Sequence, residues 1–176
     1  MASRDQDFAR LVAEHRHALM RYGLRRLDDV ASAEDLVAES FLVAWRNWND
    51  LPPRDEELFW LYGIARRVIA NMHRSELRQA SLYARLSLER TQGADSPRFA
   101  KEDIDRLLSA MSSLSDSDRE TLRLKYWEGL SYRQIGQVLD CSENSIGLRL
   151  SRIKESIRDR FVEPASPVEA RRRDEK

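Results

Sequence analysis

Apolar residues along this chain recur at three- and four-residue spacings, and no stretch shows the two-residue alternation of a strand. The pattern predicts an all-α protein. A first helix is expected over about Asp7–Arg26. Ser32, with Asp35 three residues on, reads as the N-cap of a second helix that runs to Trp48. Pro52 and Pro53 make Asn49–Asp55 a loop, because proline removes a backbone donor and disfavours helix before it. A long helix follows, from Glu56 to Leu77 or beyond. From Gln79 to Ala100 the periodicity fades while Thr91, Gly93, Asp95, Ser96 and Pro97 accumulate, which predicts a linker with room for a short helix near Leu82–Leu88. Four more helices are expected beyond it: Glu102–Met111; one capped by Ser115 with Asp118 and stopped at Glu128-Gly129; one opened by Ser131 with Gln134 and ending near Leu139; and Ser142–Phe161. The charged, proline-containing tail reads as disordered. The chain therefore divides into two small helical domains, residues 1–78 and 102–161, joined by a flexible linker, 79–101, with a tail over 162–176.

The stretch LSYRQIGQVLDCSENSIGLRLSRIKESI has helix-turn-helix spacing. Ile135, Val138 and Leu139 form the inner face of its first helix, and Gly136 permits a close helix crossing. Asp140, Cys141 and Ser142 form the turn, with Cys141 as a small apolar plug and Ser142 as the next N-cap. Ile146, Leu150, Ile153 and Ile157 fall on one stripe at 100° per residue. The opposite face carries Asn144, Ser145, Leu148, Ser151 and Arg152, with Arg149 and Lys154 on its flanks. Short polar side chains and cations in this arrangement suit a helix entering a major groove. An amphipathic hairpin with a basic outer face weighs less, because caps, small residue, turn and stripe coincide. Leu148 is unusual on such a face, and it suits either thymine methyl groups or a protein partner.

Net charge is zero, yet the charge is segregated. Residues 8–27 carry a balance of +4, residues 28–57 of −7 and residues 58–78 of +3. Blocks of opposite sign within one folded unit suggest different partners on different faces. On the second helix most of the circumference is apolar, and the remaining strip holds Asp35, Glu39 and Arg46 with Leu42 among them. Such a strip reads equally as a protein-docking surface and as a solvated face with one stray leucine. In the long helix, Trp60, Leu61, Ile64, Ala65, Val68 and Met72 share the inner face. Tyr62, Arg66 and His73 are expected to face out, with Arg67, Asn71 and Arg74 beside them.

Three strings resemble the sigma-70 family, in its extracytoplasmic-function class. AEDLVAESFLVAWRNW is similar to that family's core-polymerase-binding segment, and FWLYGIARRVIANMHRS to its promoter-melting, −10-reading helix. The helix-turn-helix, preceded by LSDSDRETLRLKYWEGLSYRQIG, resembles its −35-reading domain. The resemblance covers about residues 7–161 in the expected order. It implies that Asp35, Glu39, Leu42 and Arg46 dock on core RNA polymerase. It further implies that Tyr62, Arg66, Arg67, Asn71 and Arg74 engage the −10 strand, where aromatic and basic groups together suit single-stranded bases and their phosphates. Asn144, Ser145, Leu148, Arg149, Ser151, Arg152 and Lys154 would read the −35 element, and the loop Asn49–Asp55 would grip an extruded base. His73 reads more readily as a surface histidine than as a base contact. The family also implies an anti-sigma partner. Arg67 stands where many relatives have asparagine, and Gly147-Leu148 where many have an Arg-Ser pair, which leaves the promoter sequence open.

The remaining composition narrows the alternatives. One cysteine, Cys141, excludes an intrachain disulfide and fits a reducing cytoplasm; it reads as a structural thiol rather than a redox sensor. Three histidines without clustered His/Cys pairs argue against a metal site, and no cofactor motif is present. No acid–base, nucleophile or metal constellation suggests an enzyme, and Asp28-Asp29 and Asp55-Glu56-Glu57 read as loop and helix-start charges. No apolar run has signal-peptide or membrane-span length, so a cytoplasmic protein without membrane insertion is expected. The rival reading is a stand-alone helix-turn-helix regulator whose N-terminal domain senses a ligand or dimerises. A sensor would offer an apolar pocket in place of a carboxylate-rich helix.

Overall fold

A computed structural model describes residues 4–83 and 114–162 of the chain. The described residues form helices α1 (Arg4–Leu24), α2 (Val30–Arg46), α3 (Glu57–Tyr83), α4 (Asp116–Tyr126), α5 (Tyr132–Leu139) and α6 (Glu143–Val162), with a 3-10 turn at Trp48–Asp50. Among them there is no strand, and no helix is long and apolar enough to cross a membrane. The expected helix over Glu102–Met111, the rest of the linker and the tail lie outside the described residues. Two compact units divide the chain, the first built on α1, α2 and α3 and the second on α4 and α6. The segment Arg133–Cys141 groups with the first.

In the first unit α1, α2 and α3 pack against one another. The core is Leu11, Leu19 and Tyr22 from α1, Ala33, Leu36, Val37, Phe41 and Ala44 from α2, and Leu61, Tyr62, Ile64, Ala65 and Val68 from α3. Gly23 sets the α1–α2 approach: a Cβ there would lie 3.1 Å from Leu36 Cδ2 and 3.2 Å from Ala33 Cβ. The N-cap of α2 is Asp29 rather than Ser32. Its carboxylate accepts from the Ser32 backbone N–H and hydroxyl, both at 2.7 Å, so Ser32 is a donor inside the helix. A carboxylate is a stronger acceptor than a hydroxyl and sits favourably at a helix N-terminus, so the cap falls three residues early. The helix α3 continues through Tyr83, into the stretch read as linker, because no proline or glycine interrupts it there.

In the second unit α4 and α6 pack together over Leu124, Ile146, Leu150 and Ile153, all buried. Ser115 caps α4 as its spacing predicts, accepting from the Asp118 N–H at 3.1 Å. The helix ends at Tyr126, slightly before the expected stop. There Gly129, at φ +69°, takes a left-handed conformation that lets the Leu130 N–H return to the Leu124 carbonyl.

Candidate docking and nucleic-acid interfaces

The outer strip of α2 is laid out as its wheel requires. Asp35, Glu39, Leu42 and Arg46 are all exposed, Leu42 by 42%, while Ala33, Leu36, Val37, Ser40, Phe41 and Ala44 are buried behind them. The three charged groups have no hydrogen-bond or ion-pair partner among the described residues. The C-terminal end of α2 is anchored by an aromatic cluster. Phe8 meets Trp45, Trp48 and Phe41 edge-on, at centroid distances of 4.9, 5.8 and 6.2 Å. Arg4 lies 4.2 Å over the Trp45 ring and donates to the Trp45 carbonyl at 2.6 Å. The loop Asn49–Asp55 leaves from this cluster and is tied back to α1 by an Arg54–Glu14 ion pair.

On α3 the structure corrects one expectation. Tyr62 does not face out: it is 3% exposed and stacked on Tyr22, with centroids 4.8 Å apart and planes at 20°. Arg26 covers the Tyr22 ring at 3.4 Å. A helix packed between two neighbours buries a wider arc than a single apolar stripe marks, and α1 covers the flank where Tyr62 stands. Arg66 is half-buried, with its Nε lacking a partner among the described residues. Arg67, Asn71, His73 and Arg74 are exposed. Arg74 lies along its own helix, donating to the Ala70 carbonyl at 3.0 Å and to Asn71 Oδ1 at 2.8 Å. The exposed face of α3 is therefore basic and amide-bearing here, without the tyrosine.

Sequence reasoning missed the charge network at the start of α3. Glu57, read as a helix-start charge, is only 2% exposed. Its two oxygens accept from Arg10 at 2.7 and 3.0 Å, and one meets His15 Nε2 at 3.2 Å. Burial pushes the Glu57 carboxyl up, but the hydrogen bonds from Arg10 and His15 outweigh it and leave the group below its ordinary value. Glu14, His15 and Glu57 lie close enough to suggest a cation site. Arg10 and Arg54 already hold the carboxylates, however, and their charge opposes a cation. Nothing local in the sequence marks this network, since its partners are distant along the chain.

The helix α5, the turn Asp140–Ser142 and α6 follow the expected helix-turn-helix spacing. Ile135, Gly136 and Val138 are buried, Asp140 turns the chain at φ +56°, and Cys141 is half-buried. The Ser142 hydroxyl accepts from the Ser145 N–H at 3.2 Å and pairs with the Ser145 hydroxyl at 2.8 Å. Asn144, Ser145, Leu148, Ser151, Arg152 and Lys154 are exposed. Arg149 departs from the expected outward flank. It donates to Ser117 Oγ at 2.8 Å and Thr121 Oγ1 at 3.5 Å, and approaches Asp118 at 3.9 Å, so it ties α6 to the first turns of α4. Two aromatic residues absent from the sequence-based candidates, Tyr126 and Trp127, are 61% and 47% exposed at the end of α4.

The family model for sigma-70 region 2 matches residues 11–79, and that for sigma-70 region 4 matches residues 104–157. The chain is 32% identical over 147 residues to the ECF RNA polymerase sigma factor SigL of Mycobacterium tuberculosis, covering 80% of each protein. It is 31% identical over 165 residues to SigK of Mycobacterium sp. strain JLS, covering 90% of this chain and 83% of that one. Identity to the probable RNA polymerase sigma factor RfaY of Xanthomonas campestris is 29% over 164 residues; there the chain spans only 41% of the relative. Among solved structures, the sigma factor RpoE of Bartonella quintana in complex with the anti-sigma factor NepR shares the fold, at a TM-score of 0.62 and 21% identity over 90% of this chain and 99% of that one. So does CnrH in complex with the cytosolic domain of CnrY, at 0.55 and 21% over 93% and 92%. Two matched regions in their family order, on a chain that aligns with curated relatives across most of both lengths, leave one conclusion: it belongs to the extracytoplasmic-function class of the sigma-70 family of RNA polymerase sigma factors.

Proposed function

We propose that this sigma factor docks on core RNA polymerase through the outer strip of α2 and reads promoter DNA with two separate helices. The observation that carries the docking assignment is the exposed set Asp35, Glu39, Leu42 and Arg46, whose charged members have no partner among the described residues, on a helix whose opposite face is buried. Charges around one exposed leucine give a protein surface both attraction and an apolar anchor. The exposed Arg67, Asn71 and Arg74 of α3, with half-buried Arg66, engage the −10 strand; Tyr62 supports that helix from within the core. The α6 face, Asn144, Ser145, Leu148, Ser151, Arg152 and Lys154, reads the −35 element. Functionally, residues 1–78 form the region 2-like domain, 79–101 a linker and 102–161 the region 4-like domain, in keeping with the spans of the two family models.

The protein acts in the cytoplasm and contributes no catalysis of its own. Strand separation draws on binding to the separated strand, and bond formation belongs to the polymerase. The RpoE structure holds the anti-sigma factor NepR, and the CnrH structure holds the cytosolic domain of CnrY. An anti-sigma partner that covers the same surfaces is the corresponding regulator here.

Run-off transcription with purified core polymerase on a library of promoter-like DNA tests the reading. Initiation should depend on the chain and weaken steeply with salt. Charge reversal, Asp35→Lys with Glu39→Lys, should abolish initiation while leaving thermal unfolding within about 0.5 kcal/mol of wild type, as expected for exposed positions. Normal transcription by that double variant refutes the docking assignment.

A further inference from the structure

The reading face of α6 presents one apolar side chain among polar ones. Leu148 is 61% exposed. Asn144, Ser151 and Arg152 stand one turn away on the same face, and all three are exposed. Two neighbours assigned to this surface by sequence are engaged inside the unit: the Ser145 hydroxyl on Ser142, and Arg149 on Ser117 and Thr121. Leu148 is thus the bulkiest group between a short polar edge and the Arg152 cation. Exposed Glu143 and Glu155 lie near the two ends of this face, with the exposed cations Arg152 and Lys154 between them.

Gly147 adds a second observation. A glycine inside a helix weakens it, and packing does not require one here. Among the described residues a Cβ would meet only the Tyr132 ring, at 3.8 Å, an ordinary contact. Neither the missing side chain at 147 nor the exposed leucine at 148 serves the interior. Together they give α6 a low edge beside a projecting apolar knob. One side chain is far too small to be the core of a protein interface. It matches the single apolar feature on a base-pair edge in the major groove, the thymine C5-methyl.

We propose that Leu148 is a specificity-determining residue for the −35 element, and that it selects thymine through van der Waals contact with the C5-methyl group. The inference rests on the assignment of α6 as the −35 reader. Arg152 and Lys154 supply phosphate contacts on either side, and Asn144 is placed to hydrogen-bond a neighbouring base edge.

The test uses holoenzyme assembled from the full chain and core polymerase. A −35 element is first selected from randomised duplex DNA. Each thymine in it, on either strand, is then replaced by deoxyuridine, which deletes the methyl group and leaves pairing intact. At one position the replacement should weaken wild-type binding about fourfold, the worth of one buried methyl group. Leu148→Ala holoenzyme should assemble normally and bind the thymine and deoxyuridine duplexes with nearly equal affinity. Wild-type indifference at every thymine, or full retention of the preference by Leu148→Ala, overturns the proposal while leaving −35 reading intact. Selection that yields no −35 preference at all, or an unchanged salt dependence in Arg152→Ala, overturns the α6 assignment and this inference with it.

Discussion

The buried Glu57 carboxylate offers the sharpest test of how the first unit is held together. It accepts two hydrogen bonds from Arg10 and one from His15 with almost no access to water. In Glu57→Gln the charge is lost, and the new amide turns N–H donors toward the Arg10 donors. Breaking a buried pair from one side costs about 3–5 kcal/mol. Arg10 is 28% exposed and keeps Glu14 at 2.9 Å, so the lower end applies, about 3 kcal/mol. For a unit of this size that corresponds to a fall of roughly 12–24 °C in Tm. Urea unfolding followed by tryptophan fluorescence measures it, because Trp45, Trp48 and Trp60 lie in the first unit; a Trp127→Phe background removes the signal of the second. The double variant Arg10→Met with Glu57→Leu should lose less than the sum of its single changes, since neither charge is then stranded. The carboxyl is depressed in the folded state, so its stabilisation is complete above the unfolded carboxylate value of about 4.3 and is lost as pH falls through the lower folded value. Wild type should therefore lose stability below about pH 5 more steeply than Glu57→Gln. A loss under about 1 kcal/mol in Glu57→Gln, or strict additivity in the double variant, refutes the account of this network.

Two smaller changes probe other features. Ser40 is fully buried and its hydroxyl has no partner among the described residues, so Ser40→Ala should raise stability by about 1 kcal/mol in the same urea experiment; a loss instead would mean that the hydroxyl is satisfied. Arg149→Ala should destabilise the second unit by about 1 kcal/mol, read from Trp127 fluorescence. It should leave the salt slope of promoter binding unchanged, whereas Arg152→Ala lowers that slope by about 1. A reduced slope in Arg149→Ala would return Arg149 to the DNA.

What the sequence made legible is what neighbours within four residues determine. The Ser115 and Ser142 caps, the buried stripe of α6 and the exposed strip of α2 are all local patterns, and the structure places them where the spacing does. The misreadings have two causes, one local and one not. Ser32 and Asp29 both satisfy a capping pattern, and only acceptor strength separates them. Tyr62 looks outward on a wheel drawn for one helix, yet α1 supplies the Tyr22 ring that covers it. Glu57 and Arg149 resemble ordinary surface charges until distant partners, Arg10 and Ser117, are brought alongside. Rules that run along one helix carry no information about what a second helix presents to it.

The bare backbone at Gly23 has a mechanical consequence. With Leu36 and Ala33 seated directly against α1, there is no side-chain cushion across which α2 could roll or slide. Whatever takes hold of the outer strip of α2 takes hold of α1 with it.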